Sequence, residues 1–430
     1  MGAESLALSA MAALAERPRV ARVLFGAVRS ENPFVAERFS WPYPMYERMR
    51  ANGNVHYLRL FQQWFVLGYD EVNEVLRSPH TTTAGVADLL LSTPRYKKLS
   101  PAARRSFAKW LLTTDAPDHT RLRSAVSRAF TPRQIAAYEP LVKRVIDQIV
   151  AELPASGEVD IVLAVTERLP IRVIAEILGL PEERRAWLRD TSHELALMIE
   201  PLTRFDPVAM SKRFAELDAY FFELIAQRRA DPGDDFVSVL ASVDDSANAL
   251  SDDEIVAMIA FLLTAGHETV TSMLGNALVA LAEHPDQRQL LRRSPGIIDN
   301  AVEELLRFDS SAQVTGRTTT ADIVVGGQTI PKGANIGVFV GAGNRDTRRW
   351  PDADELRLDR PDPKPLSFGF GAHRCLGAAL ARMELRNVLP PLIEQLGDYS
   401  IDLERTEWKR SFSLRGPTKL PLTIGLPGIR

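Results

Sequence analysis

The sequence predicts a mainly α-helical protein with a small β-sheet region at one side. Along most of the 430 residues, apolar side chains recur at three- and four-residue steps, the spacing of amphipathic helices. Strand-like runs are few and short. The Pro/Gly/Asp-rich pieces at residues 231–235 and 361–365 are too short for domain linkers. We therefore expect one large domain over residues 1–430, with residues 1–35 as a loosely ordered N-terminal extension.

Capping signals mark the beginning of two helices. Thr131-Pro-Arg-Gln134 has a capping residue followed by proline at the first helical position, and the helix is predicted to reach about Leu153. Ser251-Asp-Asp-Glu254 is a capping box that begins a long helix reaching about Glu283. Apolar periodicity predicts further helices at about Ile161–Leu178, Pro207–Arg229, Ile297–Phe308 and Cys375–Leu396.

Strand signals come in hairpin-like pairs. Val55–Leu60 and Trp64–Leu67 flank Gln62 and are predicted to pair. Asp322–Ile330 carries Gly326-Gly327 at its centre, a favourable two-residue hairpin turn. Two more short strands are predicted at Asn335–Val340 and Leu420–Ile424.

Composition excludes several classes of protein. A net charge of −3 gives no reason to expect a nucleic-acid partner. A single cysteine fits a reducing compartment, so we predict a cytoplasmic location. The apolar stretches Leu6–Ala15 and Ile255–Ala265 are shorter than the roughly 20 residues that a membrane-spanning helix needs. We read the first as a frayed amphipathic helix and expect no stable membrane insertion.

Cys375 lies in the stretch Phe368-Gly-Phe-Gly-Ala-His-Arg-Cys-Leu-Gly377. One cysteine cannot form an internal disulfide or a four-thiolate metal site, but it is sufficient for one axial thiolate on a haem iron. The glycines allow a flat ligand to approach the backbone closely. His373 and Arg374 beside the sulfur are predicted to favour the thiolate. The alternative is an inert buried cysteine.

This stretch resembles the haem-ligand loop of the cytochrome P450 family, the haem-thiolate monooxygenases. Every position of the pattern Phe-x-x-Gly-x-(His/Arg)-x-Cys-x-Gly is filled. The resemblance implies the cytochrome P450 fold, with haem b held between the long central helix and the helix after the cysteine loop. It implies that Cys375 is the iron ligand and that Phe368, Gly369 and Gly377 contact the haem.

Ala265-Gly-His-Glu-Thr269 lies within the long helix. Thr269 is predicted to bond back to a carbonyl one turn earlier, and Glu268 places an acid next to that hydroxyl. The alternative is an incidental glycine beside a solvated glutamate. The stretch also resembles the family's oxygen-binding motif. That resemblance implies that Ala265 borders the haem, that Gly266 makes room above it, and that Glu268 and Thr269 manage the protons of catalysis.

Glu304-Leu-Leu-Arg307 is a weak motif by itself, because an ordinary exposed pair has the same spacing. In the family the pair is buried and completed by a later arginine, and Arg360 follows at the corresponding place. The resemblance implies that these three side chains have a structural role on the proximal side of the haem.

A haem brings two carboxylates, and their burial requires hydrogen-bonded cations. His119 and Arg123 share one helix face, and Arg317 begins a predicted strand. With His373, these residues resemble the family's propionate contacts. The alternative for each is a solvated surface side chain.

The resemblance spans about residues 40–425 and implies a soluble, bacterial-type monooxygenase. It would insert one oxygen atom from dioxygen into a hydrophobic lipid, terpenoid, steroid or polyketide. Gly341-x-Gly343 and Gly369-x-Gly371 lack the remainder of a dinucleotide site, and no length is left for a flavin domain. We therefore expect a ferredoxin with its ferredoxin reductase as the electron donor.

Three other classes remain open. A peroxide-driven enzyme commonly replaces the acid–threonine pair with Arg-Pro, a rearrangement enzyme does not need that pair, and a haem sensor would tolerate its loss. Substrate contacts are predicted from position along the chain, and they include a lid. The predicted pocket walls are Leu89–Leu91 in a loop, Phe261, Ala265, Ser311–Val314 and Phe412–Leu414, with Leu197–Leu202 as the lid.

Overall fold

The computed structural model describes residues 39–58, 62–200, 205–242 and 249–425. The predicted N-terminal extension and the stretch Leu6–Ala15 lie outside these residues. So do residues 201–202, the last two of the predicted lid.

Helices account for most of the described chain. They are α1 Tyr43–Arg50, α2 Tyr69–Arg77, α3 Ala84–Ser92, α4 Pro94–Lys97, α5 Pro101–Ala108, α6 Asp118–Ser127, α7 Pro132–Ala151, α8 Arg168–Ile177, α9 Arg185–Ala196, α10 Pro207–Ala230, α11 Phe236–Ala241, α12 Asp252–Glu283, α13 Pro285–Arg293, α14 Ile298–Phe308, α15 Val340–Gly343 and α16 Ala378–Leu396. A π-helical turn, Val162–Thr166, precedes α8, and short 3₁₀ turns include Gly371–His373 in the cysteine loop.

The strands form small sheets beside the helices. They are β1 Val55–Leu58, β2 Gln63–Val66, β3 Thr81–Thr82, β4 Gly157–Asp160, β5 Thr315–Thr319, β6 Ile323–Val325, β7 Gln328–Ile330, β8 Asn335–Val338, β9 Ser400–Ile401, β10 Glu407–Trp408, β11 Pro417–Lys419 and β12 Pro421–Ile424. The largest sheet has the order β1-β2-β8-β5-β3, in which only β2 and β8 are parallel. The strands β4, β12 and β9 form a second sheet, and β6–β7 is a separate hairpin.

The capping signals identified both helix starts correctly. Ser251 and Glu254 form the complete capping box at the start of α12, which ends at Glu283 as predicted. The Thr131 side chain accepts a hydrogen bond from the Gln134 backbone at the start of α7. Each cap satisfies amide groups that a helix terminus leaves unpaired. Because the residues involved are only three positions apart, the cap can be recognised in the sequence.

Two predicted helices differ in detail. The helix predicted at Ile161–Leu178 is divided, because the π turn comes first and α8 begins only at Arg168. The helix predicted from Cys375 begins at Ala378, with Gly377 as its N-terminal flanking residue. The predicted hairpins and the strand at Asn335 are confirmed within two residues at each end.

The long helix α12 is buried on nearly every face, and the main hydrophobic core packs around it. Among the described residues, it is the one helix long and apolar enough to cross a membrane by length and composition. Its most apolar 18-residue window is 72% buried inside the protein, as in the core helix of a globular domain.

Candidate active site

One stripe of α12 differs from the rest of this buried helix. Phe261, Leu262, Ala265, Gly266 and Thr269 are half-buried, whereas nearly all their neighbours are buried. These positions follow the four-residue spacing of a single helix face. Thr269 Oγ1 donates to the Ala265 carbonyl at 2.6 Å, the predicted bond back along the helix. One face of α12 therefore leaves apolar groups and one hydroxyl accessible to a ligand.

Gly266 has a packing role that the sequence did not indicate. A Cβ atom at this position would come within 3.0 Å of Ile174 Cδ1 on α8. The absence of a side chain thus lets α12 and α8 approach closely, in addition to any room it leaves for a ligand.

The backbone of the cysteine loop is fixed by its glycines. Gly369 and Gly371 have φ values of 61° and 71°, the left-handed region that favours glycine. A Cβ on Gly371 would meet the Leu76 carbonyl oxygen at 2.5 Å, so no other residue fits there. The Cys375 amide donates to the Phe368 carbonyl at 2.8 Å and closes the loop. A Cβ at Gly369 or Gly377 would meet nothing within 4 Å, so both border open space.

The environment of the thiol combines opposing effects. Desolvation raises the pKa of Cys375 above its usual value and outweighs the lowering by the Gly377 backbone, Arg123, Arg382 and Arg374. Arg374 thus acts in the predicted direction, and the neighbouring cations alone do not offset the desolvation of the sulfur. A bound metal ion would itself supply the positive charge that removes the thiol proton.

Three donors near this loop have no carboxylate partner among the described residues. Arg317 is buried in the middle of β5, where its guanidinium donates to Gly316 O at 2.7 Å and Thr315 Oγ1 at 3.3 Å. Burial lowers the pKa of Arg317 to about 10. Arg123 donates to the Arg374 carbonyl at 2.6 Å.

His119 is the third of these donors, and its Nε2 atom is buried without a hydrogen-bond partner. Burial, and then the charge of His373, lower the pKa of His119 to about 4. Buried cations and orphaned polar atoms are costly unless something pairs with them. The side chains of Arg317, Arg123 and His119 therefore suit a ligand that carries carboxylates, as haem does.

Asp115 is a site residue that sequence reasoning missed. Its carboxylate accepts from the backbone amides of Thr83 and Ala84 at 3.0 and 2.9 Å, and from the Thr82 hydroxyl. It also lies 3.0 Å from His373 Nε2. Burial alone would raise the pKa of Asp115, but these hydrogen bonds hold it well below its usual range. Asp115 thus fixes the His373 ring, which stacks 4.2 Å from His119.

Glu304, Arg307 and Arg360 are brought together in the interior. Their side chains are 0%, 0% and 3% exposed. Arg307 donates to both Glu304 oxygens at 2.7 and 2.8 Å, and Arg360 Nε does so at 3.0 and 3.1 Å. Arg307 also donates to the carbonyls of Asn344 and Ala353, which binds α14 to the chain that precedes the cysteine loop. The exposed-pair alternative is therefore excluded.

Glu268 is buried within a cluster of charges and does not lie on the half-buried stripe. His193 Nδ1 lies 2.5 Å from Glu268 Oε1, and the Lys409 ammonium contacts the other oxygen. His193 Nε2 lies 2.8 Å from Glu167 Oε1. The alternative of a solvated glutamate is thus wrong, and so is the simple picture of an acid and a hydroxyl side by side.

Electrostatics explains why this cluster is stable when buried. Burial would raise the pKa of Glu268, but the charge of Lys409 and the hydrogen bond from His193 hold it well below its usual value. Burial would lower the pKa of His193, but Glu167 and Glu268 together raise it to about 9. At neutral pH His193 is therefore a cation between two carboxylates.

Two of the predicted pocket walls are joined by backbone and side-chain bonds. Gln313 N donates to Ser413 O at 2.8 Å, and residues 312 and 414 form an isolated β-bridge. The buried carboxylate of Glu200, after α9, accepts from the Phe412 amide at 3.1 Å and the Ser413 hydroxyl at 2.8 Å. The turn after α9 and the 411–414 loop are therefore connected.

The wall predicted at Leu89–Leu91 needs a correction. These residues lie on α3 and not in a loop, and Leu90 and Leu91 pack against the main core. The apolar run Val86–Leu91 permits a helix, and the polar and glycine residues around it gave no clear local boundary.

Comparison with known proteins identifies the class. The family model described as cytochrome P450 matches residues 65–294 and 296–406. The chain belongs to the cytochrome P450 family and is a haem-dependent monooxygenase of that class, an iron-containing oxidoreductase.

Two curated relatives are each 35% identical to this chain. The Vitamin D(3) 25-hydroxylase of Pseudonocardia autotrophica aligns over 391 residues, which cover 89% of this chain and 94% of the relative. The 6-deoxyerythronolide B hydroxylase of Saccharopolyspora erythraea aligns over 396 residues, which cover 89% of this chain and 96% of the relative. The crystal structure of P450BioI in complex with hexadec-9Z-enoic acid ligated acyl carrier protein superposes with a TM-score of 0.82 at 29% identity, covering 90% of this chain and 99% of that one.

Proposed function

We propose that this chain uses haem b to hydroxylate a large apolar small molecule, with electrons from a separate ferredoxin and its reductase. One observation carries the proposal. The cysteine loop presents a single thiol and open glycine positions beside donors that have no carboxylate partner in the part of the chain that the structure describes. That combination suits a flat, iron-bearing ligand with two acid groups.

In this proposal each residue near the loop has a defined task. Cys375 would supply the sulfur ligand of the iron, while Arg317, Arg123 and His119 would bind the two carboxylates of the haem. Asp115 orients His373, which adds a fourth contact. The buried group of Glu304, Arg307 and Arg360 holds the proximal side rigid. When bound, the haem iron supplies the activation of dioxygen, and the thiolate favours O–O cleavage.

Proton handling is assigned to residues on and around α12. Thr269 presents its hydroxyl on the half-buried stripe, where it would position a proton for the reaction. Glu268 exchanges protons with His193, and His193 in turn with Glu167 at 2.8 Å. Glu167 lines a surface cleft of about 320 Å³, so water reaches the outer end of this series. Lys409 keeps Glu268 ionised until a proton arrives.

The substrate class follows from the lining and from the relatives. Phe261, Leu262 and Ala265 make the stripe on α12 apolar, so the site suits hydrophobic ligands. The relatives are named for vitamin D(3) and for 6-deoxyerythronolide B, a steroid-derived molecule and a polyketide. We extend both classes, together with lipids and terpenoids, to this chain, and we place it in the cytoplasm as a single domain.

The decisive experiment is an absorption spectrum of the purified, reduced protein with carbon monoxide. A strongly red-shifted Soret band that disappears in Cys375→Ala is expected. A carbonyl spectrum typical of histidine-ligated haem, or no haem at all, would contradict the proposal. Spin-state shifts with steroid and macrolide panels would then identify the substrate class.

Turnover assays separate the remaining classes. Reductant consumption that depends on substrate and oxygen supports the monooxygenase. Activity driven by peroxide alone indicates a peroxygenase, and product formation without reductant indicates a rearrangement enzyme. Haem binding without any turnover indicates a sensor.

A further inference from the structure

Glu167, His193 and His267 form a compact group of metal-ligating side chains away from the cysteine loop. One ligand atom of each lies within 4.8 Å of the others. They come from three elements, since Glu167 lies between the π turn and α8, His193 lies on α9 and His267 lies on α12. A π-helical turn of this kind often accompanies a functional site.

His267 is ready to ligate a metal. It is fully buried, and its Nδ1 lies 3.0 Å from Ser192 Oγ. The Ser192 hydroxyl gives its own proton to the Leu263 carbonyl at 2.9 Å, so His267 Nδ1 must be the donor in that pair. The lone pair of His267 therefore lies on Nε2, which is buried and has no hydrogen-bond partner among the described residues. Such an acceptor is free to bind a water molecule or a metal ion.

His193 has the outer hydrogen bond typical of a metal-binding histidine. Its Nδ1 lies 2.5 Å from Glu268, while its Nε2 faces Glu167 at 2.8 Å. Ligating histidines usually donate their second ring nitrogen to a carboxylate, which fixes the tautomer and the ring orientation. A cation that replaces the proton between Nε2 and Glu167 would leave the bond to Glu268 intact.

Access to this group comes from the surface. The His193 side chain is 45% exposed, and Glu167 lines the cleft of about 320 Å³. Carboxylates pair with the arginines around this cleft, since Arg168 and Arg172 share Glu152 and Arg185 pairs with Glu176 and Glu182. Arg189 lies 3.7 Å from Glu167 and 2.9 Å from Asp190, so Asp190 would still hold its guanidinium if Glu167 bound a cation.

We propose that Glu167, His193 and His267 bind a divalent transition-metal ion of the zinc type. One carboxylate and two imidazoles suit Zn²⁺, which accepts such a set with water in the fourth position. Tetrahedral ligands lie about 3.3 Å apart when the bonds are about 2.0 Å, so the ligand atoms, which lie within 4.8 Å of one another, would approach each other when the ion binds. Carboxylate and imidazole without thiolate also admit Co²⁺ and Ni²⁺.

Occupancy would act on the monooxygenase reaction, and this consequence rests on the proposed function. The ion would remove His193 and Glu167 from proton exchange and hold Glu268 in place. Zn²⁺ would then lower product formation per reductant consumed without displacing substrate. The binding itself does not depend on the reaction.

The test measures binding first, on haem-loaded protein without an affinity tag. Haem keeps His119 and His373 from binding zinc themselves. Competition with a chromophoric chelator gives the affinity, and metal analysis gives the stoichiometry. We expect one Zn²⁺ per chain at micromolar concentration, with at least tenfold weaker binding in Glu167→Gln and in His193→Gln. Glu194→Gln is the matched control, because Glu194 follows His193 but pairs with Arg213.

The outcomes separate this site from the monooxygenase proposal. Zinc X-ray absorption with imidazole scattering in the wild type, reduced in His193→Gln, would support the site. Equal binding by the wild type and both variants, or an all-oxygen coordination shell, would overturn it. A normal carbonyl spectrum in all variants would show that the haem site is intact in either case.

Discussion

Glu268 and Thr269 are consecutive in the chain, but their side chains lie in different environments. The Thr269 hydroxyl donates to the Ala265 carbonyl on the half-buried stripe of α12. The Glu268 carboxylate is buried against Lys409 and His193. The acid and the hydroxyl therefore have different hydrogen-bond partners, and each can be altered separately.

Removing the Thr269 hydroxyl is expected to uncouple the reaction. In Thr269→Ala, protons are no longer oriented toward bound oxygen, so product per reductant should fall about tenfold or more, given what a positioned proton donor contributes. The ratio of product to NADH consumed measures this. Thr269→Ser keeps the hydroxyl and should retain most of the coupling. Full coupling in Thr269→Ala would contradict the role of this residue.

Breaking the ion pair of Lys409 should destabilise the protein. Lys409→Met leaves Glu268 buried with His193 as its remaining partner, at a cost of about 3 kcal/mol, the lower end for a broken buried pair. The midpoint of thermal unfolding of the haem-loaded protein measures the loss. The double variant Lys409→Met/Glu268→Gln removes the unpaired charge and should recover much of it. If the double variant is less stable than Lys409→Met, the electrostatic explanation fails.

The buried group on the proximal side predicts a difference between two neighbouring arginines. Arg360→Met removes one of the two cations on buried Glu304 and should cost about 3 kcal/mol. Arg357→Met is the control, because that side chain is exposed and pairs with Asp352. Thermal unfolding midpoints and haem content measure both. Similar losses in the two variants would show that burial of the charge is not the cause.

Glu384 on α16 predicts a pH-dependent stability. Burial raises the pKa of Glu384 from 4.5 to about 8, and its Oε2 has no hydrogen-bond partner. The folded protein tolerates the protonated form of Glu384. The contribution of this group to the stability of the protein is therefore fully present below pH 4.5 and is lost as the pH rises through 8.

Glu384→Gln should remove this contribution. The free energy of unfolding of the variant is expected to rise relative to that of the wild type between pH 5.5 and pH 8.5, by on the order of a few kcal/mol at the upper end. Thermal unfolding midpoints of both proteins across this pH range measure the change. A pH-independent difference between the two proteins would show that Glu384 does not titrate in this range.

The outer surface of the cysteine loop predicts how the electron donor binds. Arg374 is exposed, and exposed Arg77 lies over the Phe370 ring at 4.5 Å. An acidic donor would be steered to these cations. Arg77→Glu should therefore slow reduction several-fold, more strongly at low than at high salt. Stopped-flow reduction by ferredoxin measures the rate. An unchanged rate at low salt would place the docking surface elsewhere.

The sequence predicted those features that short stretches encode. The capping box at Ser251, the glycines around Cys375 and the spacing of Glu304 and Arg307 are local patterns with a direct physical reason. They were sufficient to predict a mainly helical fold, and the family resemblance supplied the candidate site residues on its elements.

The sequence did not predict contacts between distant elements. Asp115 reaches His373, Lys409 reaches Glu268, and the partners lie 258 and 141 positions apart. No periodicity connects such pairs, because tertiary packing alone brings them together. The raised pKa of Cys375 was missed for the same reason, since desolvation depends on everything packed around the sulfur.

The carboxylate of Glu200 ties the end of one helix to the loop at residues 411–413. A substitution in either segment would therefore also alter the position of the other. Efforts to alter the range of accepted molecules would do better to exchange both segments together from one donor protein than to redesign one alone. These two stretches therefore form one structural unit, although 212 positions separate Glu200 from Phe412.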